Sequence, residues 1–147
     1  MTGLSADDLI DCYRQGVFPM GEARDDPAIM IVEPRLRGVI DPAAFHVPKR
    51  LARVVRGDTY QVSIDQAFDA VVAACAGPTA GRAETWINAP IRDLYNQLHN
   101  RGQAHSVEAR KDGVLVAAYT ASAWAAPFSA KACSRPPPTP ARWRWFT

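Results

Sequence analysis

Four basic residues, Lys49, Arg50, Arg53 and Arg56, fall within eight positions, three and four apart, so a helix would gather them along one side. Such a stripe suits contact with the phosphates of a nucleic acid, and it equally fits an ordinary solvated face. Trp86 follows polar loop residues and precedes a helix start, where an indole serves either as core or as the stacking wall of a pocket. The three histidines, His46, His99 and His105, enter no Ser-His-Asp or Cys-His arrangement. His99 falls late in a helical stretch, where its charge would complement the helix dipole. His105 and Glu108 lie three apart on an expected strand, hence on opposite faces, which rules against a catalytic pair. No glycine-rich phosphate loop is present, and no carboxylate spacing predicts acid–base chemistry.

The elements that must carry these residues are those of a soluble globule. The chain has 147 residues, 48% hydrophobic and 22% charged, enough for one domain with a core or for a small domain and part of another. A formal charge of +2 is too small to indicate nucleic-acid binding, so the local basic cluster matters more. No apolar run reaches the length of a membrane span, and Asp7, Asp8 and Asp11 are unlike the start of a signal peptide. Cys12, Cys75 and Cys133 match no metal-ligand spacing and read as free thiols in a reducing, cytoplasmic compartment.

Ser5 and Asp8 form a capping-box pattern ahead of Leu9, Ile10 and Tyr13, and Gly16 closes that helix. Val17 to Met20 and Ala28 to Val32 read as extended. Lys49 to Arg56 reads as a helix closed by Gly57, and Tyr60, Val62 and Ile64 alternate with polar residues as in a half-buried strand. Asp65 is placed to cap a helix with Phe68, Val71, Val72 and Cys75 on its apolar side. Asn88 and Pro90 start another, striped by Ile91, Leu94, Tyr95 and Leu98. Ala104 to Arg110 and Val114 to Val116 then form a hairpin about Asp112-Gly113. The order suggests an α+β protein.

Several of these segments resemble the leucyl/phenylalanyl-tRNA–protein transferase family. Leu9 to Met20 resembles its helix followed by G-[IV]-F-P, and Arg37 to Ile40 with Phe45 to Leu51 resembles its R-G-[IV]-[IL] and F-H-[IV] segments. Thr85-Trp86-Ile87 is similar to its T-W-I signature, and Leu98 to Glu108 to its L-H-x-x-G-x-A-H-S-[VI]-E element. The resemblance runs from about residue 4 to Val116. It implies a cytoplasmic, monomeric aminoacyltransferase of the N-degron pathway that moves leucine or phenylalanine from aminoacyl-tRNA to the N-terminal Arg or Lys of a protein. It implies a small N-terminal α/β domain (1–42) and the first part of a GNAT-like acyltransferase domain (43–116) with an incomplete sheet. It implies no metal, no bound cofactor and no membrane. Lys49, Arg50, Arg53 and Arg56 then correspond to a tRNA-binding region, and Trp86 to the wall of the aminoacyl-side-chain pocket. Two departures stand out: Met30-Ile31 occupies positions where the family carries tryptophan, and the family's G-E-S-M-F-S-R and D-x-Q motifs are absent, leaving the catalytic group unassigned.

The composition changes after Val116. Residues 117–147 contain no Asp or Glu, and they hold Pro136-Pro137-Pro138 and three of the four tryptophans. One permitted choice of codons, shifted by a constant offset, turns Ser129 to Arg135 into Gly-Glu-Ser-Met-Phe-Ser and Val116 to Phe128 into a G-G-L-Y-G-V segment. A single loss of frame near Val116–Ala117 accounts for both, and residues 117–147 are then an aberrant, disordered tail that leaves the strand at Val114 with an unpaired edge. The alternative function on this reading is an inactive fragment with residual tRNA binding.

Overall fold

The computed structural model describes residues 3–36, 41–78, 83–122 and 129–134. Helix α1 (Ala6–Arg14) begins at the expected capping box. The Asp8 amide donates to Ser5 Oγ at 3.2 Å, and the Ser5 amide donates back to Asp8 Oδ2 at 2.9 Å, so the shorter Asp replaces the usual Glu. Gly16, at φ +79°, takes the left-handed turn that ends the helix. Strands β1 (Phe18–Gly21) and β2 (Ile29–Val32) then pair antiparallel as a two-stranded ribbon.

Helix α2 (Lys49–Arg56) follows a short 3-10 turn at Pro42–Ala44. Strand β3 (Gln61–Ile64), helix α3 (Phe68–Ala76) and helix α4 (Ala89–Asn100) lead to β4 (Ala104–Lys111), β5 (Val114–Ser122) and β6 (Ser129–Ser134). The second sheet is antiparallel in the order β3-β4-β5-β6, so the protein is α+β. The β4–β5 turn has positive φ at both Asp112 (+51°) and Gly113 (+77°), the geometry that matches the twist of a tight hairpin.

Leu9, Ile10 and Tyr13 of α1 form one buried cluster with Val71, Val72 and Cys75 of α3 and Ile91, Leu94 and Leu98 of α4. Each fully buried aliphatic side chain contributes about 1.5–3 kcal/mol before entropy costs. The stripes that predicted α1, α3 and α4 are the faces that meet here.

Four expectations are corrected. Asp65 does not cap α3: it sits in the left-handed region at φ +57°, and the cap position is Ala67, which has no side-chain oxygen to offer. Glu108 substitutes, its Oε1 accepting from the Ala67 amide at 3.3 Å. Strand β3 has the predicted period but the opposite facing, with Val62 and Ile64 67% and 65% exposed while the Ser63 hydroxyl reaches buried Glu108. The strand at Val114 also continues past Val116. Ala118, Thr120 and Ser122 keep pointing inward, and β5 pairs with β6 from Ala117↔Ser134 to Ser122↔Ser129, so it is no edge. The remainder of the tail expected to be disordered lies outside the described residues. Finally, Cys75 is disulfide-bonded while Cys12 is a free thiol, because separation along the chain does not report proximity in the fold.

Candidate functional site

Trp86 is held by the N-terminal ribbon. The Gly21 amide donates to the Trp86 carbonyl at 2.8 Å. Two residues on, buried Asn88 caps α4 through the Ile91 amide at 3.1 Å and donates its own side-chain amide to the carbonyls of Asp26 (2.8 Å) and Ala28 (2.9 Å). One asparagine therefore starts a helix and fastens the β1–β2 connection to it. Thr85 Oγ1 accepts from the Ile87 amide at 3.2 Å, turning the chain so that Ile87 enters the core.

The half-buried Trp86 lines a small cavity of about 20 Å³ with Val72, Cys75, Ile87, Tyr95 and Thr120. That is room for one water rather than an amino-acid side chain, so a larger group enters only if the wall shifts. The hydroxyls of Tyr13 and Tyr95 hydrogen-bond to each other, joining α1 to α4. Burial, followed by the neighbouring Tyr13, pushes the Tyr95 phenol well above the usual tyrosine range. The sequence placed Tyr95 on the apolar stripe of α4; its pairing with Tyr13, 82 residues away, was not legible.

The basic stripe lies elsewhere. Lys49, Arg50, Arg53 and Arg56 are all exposed on α2, a helix none of whose residues is buried. Lys49, Arg53 and Arg56 fall on one line along it and Arg50 flanks them, with Leu51 and Val55 opposite. No α2 residue lines the Trp86 cavity.

A third group centres on Asp65. Its Oδ2 lies 2.7 Å from His105 Nδ1, its Oδ1 accepts from the Ser106 amide at 2.8 Å, and His99 Nδ1 stands 3.8 Å away. Partial burial opposes the charge, but the His105 and Ser106 hydrogen bonds and the two imidazoles together hold the carboxyl below its usual range. His99 also bonds the Ala104 carbonyl at 2.8 Å and stacks flat on Phe68, with ring centroids 4.1 Å apart. His46 is exposed and outside this group. Glu108, on the opposite side of β4 from His105, is fully buried; Ser106 Oγ donates to it at 2.6 Å, and Ser63 Oγ donates to its other oxygen. Desolvation works against the Glu108 charge, yet the Ser106 and Ser63 hydroxyls and the Ala67 and Gln66 amides outweigh it and lower its pKa. Among the described residues, no cluster of His, Cys, Asp or Glu could hold a metal ion, and no helix is long and apolar enough to cross a membrane.

Comparison with known proteins finds two matching families in chain order. The family described as leucyl/phenylalanyl-tRNA protein transferase N-terminal domain matches residues 3–35, and leucyl/phenylalanyl-tRNA protein transferase matches residues 39–133, beyond Val116. Proteins named leucyl/phenylalanyl-tRNA–protein transferase are similar at high identity. That of Phenylobacterium zucineum is 56% identical over 74% of this chain and 49% of its own length. That of Caulobacter vibrioides is 54% identical over 71% and 48%, and that of Maricaulis maris 52% over 79% and 54%. The chain thus spans about half the length of the curated relatives it matches. With both matches covering the elements that hold Trp86 and α2, the chain belongs to the leucyl/phenylalanyl-tRNA–protein transferase family.

Proposed function

We propose that this chain carries the substrate-holding half of a transferase that moves leucine or phenylalanine from aminoacyl-tRNA to the N-terminal Arg or Lys of an acceptor protein, marking it for degradation. The observation that carries the reading is the match to both family segments, in order, through residue 133. In this reading Lys49, Arg50, Arg53 and Arg56 contact tRNA phosphates, which suits a helix that spends no residue on the core. Trp86 walls the pocket for the aminoacyl side chain, and the antiparallel sheet behind it is the start of a GNAT-like domain. The setting is cytoplasmic, where charged tRNA is available, and the protein works as a monomer.

The reaction needs the acceptor α-amine to lose a proton as it attacks the ester carbon, with the oxyanion stabilised. Asp65 and His105 do not serve this step at the Trp86 cavity, because His105 projects from the other face of the sheet from Thr120, which lines it. The proton acceptor is assigned to the part of the relatives that this chain does not span. The test is transfer of labelled leucine from leucyl-tRNA to a peptide beginning with Arg. It compares this chain with a fusion that adds the remaining half of the Phenylobacterium zucineum relative. Activity in the fusion alone supports the reading, and transfer by the chain alone at the relative's rate would overturn it.

A further inference from the structure

The Trp86 cavity is too small for the side chain it is proposed to receive, so one of its walls has to move. Most of them are fastened. The Trp86 segment is clamped to Gly21 and, through Asn88, to the β1–β2 connection. Ile87 is turned inward by Thr85, and Tyr95 is hydrogen-bonded to Tyr13. Thr120 belongs to β5, which is paired on both sides, with β4 and with β6. The wall left to yield is α3, a helix of nine residues that contributes Val72 and Cys75.

That wall is held by a covalent bond as well as by packing. Cys75 is buried and disulfide-bonded. The sequence has three cysteines and Cys12 is free, which leaves Cys133 of β6 as the other half of the bond. In the pairing of β6 with β5, Cys133 is in register with Ala118, two positions from Thr120. A disulfide keeps its two Cα atoms about 4.4–6.8 Å apart, so α3 cannot lift from the sheet beside the cavity while the bond stands. In the cytoplasmic setting proposed above disulfides are rare, and those that occur are commonly transient and redox-sensing.

We infer that the Cys75 disulfide is a redox-controlled strap on the Trp86 cavity, which is closed to the aminoacyl side chain when oxidised and open when reduced. The inference rests on the assignment of Trp86 to the aminoacyl pocket. A dithiol opens the strap by exchange: one of its thiolates attacks a sulfur of the bond, and its second thiolate then displaces that sulfur. Both cysteines end as thiols, having taken two protons and two electrons, and the dithiol ends as its own disulfide. Glutathione disulfide supplies the reverse oxidation.

Alkylation and mass spectrometry count the thiols, which should be one after treatment with glutathione disulfide and three after dithiothreitol. Calorimetry then follows the binding of an amide-linked 3′-phenylalanyl-adenosine to the same chain in both states. Reduction should tighten binding by at least about tenfold, since it removes the need to select a rare open state. Cys133→Ser, which cuts the bond and leaves the cavity lining as it is, should bind that tightly without reductant. Val72→Ala, which widens the same wall and keeps the bond, should admit the probe to the oxidised chain. Three thiols after glutathione disulfide, or equal binding in the two redox states, would overturn the strap and leave the pocket reading standing. Unfolding of the reduced chain by circular dichroism would overturn it too, by making the bond a structural staple. If the probe binds none of these forms, the pocket reading fails and the strap falls with it.

Discussion

Gly21 and Trp86 are joined backbone to backbone, amide to carbonyl at 2.8 Å, and the contact leaves no room for a side chain at Gly21. A Cβ there would lie 2.6 Å from Asn88 Nδ2, 2.9 Å from its Cγ and 3.0 Å from the Trp86 carbonyl oxygen. Asn88 cannot yield, because its amide is bound to two carbonyls and its oxygen caps α4. Gly21→Ala should therefore destabilise by about 1–3 kcal/mol, as overpacking does. A urea titration checks this; an unchanged midpoint would show that the ribbon is not clamped to the Trp86 segment.

Glu108 should make the fold sensitive to acid. Its carboxyl is held below the ordinary value of 4.5 in the folded state, so its contribution is present above that value and is lost as pH falls through the lowered one. Asp65, lowered from 3.8, adds a second loss in the same direction. Glu108→Gln keeps the shape but removes the charge that four donors address, and should cost about 1.5–3 kcal/mol at neutral pH. The variant's stability should also fall less steeply below about pH 4.5. Urea midpoints measured from pH 7 down to 3 compare the two slopes, and parallel curves would count against the assignment.

Tyr95 should act at the alkaline end. Its phenol is raised above the ordinary value of 10.0, so the neutral form is the stable one, and that stabilisation is lost as pH climbs from there toward the folded value. Tyr95→Phe removes the titrating group, and alkaline unfolding should be shallower than in the unsubstituted chain. Ultraviolet difference titration alongside circular dichroism follows both events. Ionisation of a buried tyrosine without unfolding would contradict the prediction.

The α2 stripe should be separable from stability. Because α2 buries no residue, replacing Lys49, Arg53 or Arg56 by Ala should change the unfolding free energy by no more than about 0.5 kcal/mol each. If the stripe contacts tRNA, each replacement should reduce the slope of log affinity against log salt by about 0.7–0.9. Filter binding at several salt concentrations measures it, and an unchanged slope would remove α2 from the interface.

Helices α1 and α4 were readable because cap and stripe agree: Ser5 with Asp8 and Leu9, Asn88 with Pro90 and Ile91. Strand β3 shows where such reading stops. Alternation fixes which residues share a face, but it does not say which face meets the helices. The buried Glu108 carboxylate decides that by drawing Ser63 inward. Asp65 misled for a similar reason: a carboxylate ahead of a helix looks like a cap, and only the pairing of β3 with β4 brings it to His105 and Ser106. Trp86 stands out in the sequence through the T-W-I segment, whereas its attachment to Gly21 is a contact between segments remote in the chain. Continuation of β5 to Ser122 is written in Ala118, Thr120 and Ser122, small residues whose period is easily overlooked.

The pairing of Tyr13 with Tyr95 has a consequence for how the molecule is made. Tyr13 leaves the ribosome 82 residues ahead of its partner, and at about 5–20 residues per second α1 waits roughly 4–16 seconds for α4. Through that interval Leu9 and Ile10 lack the part of their cluster that α4 supplies, Ile91, Leu94 and Leu98. A nascent chain of this family exposes an amphipathic segment to chaperones for seconds, and a pause in translation before residue 90 would lengthen the wait.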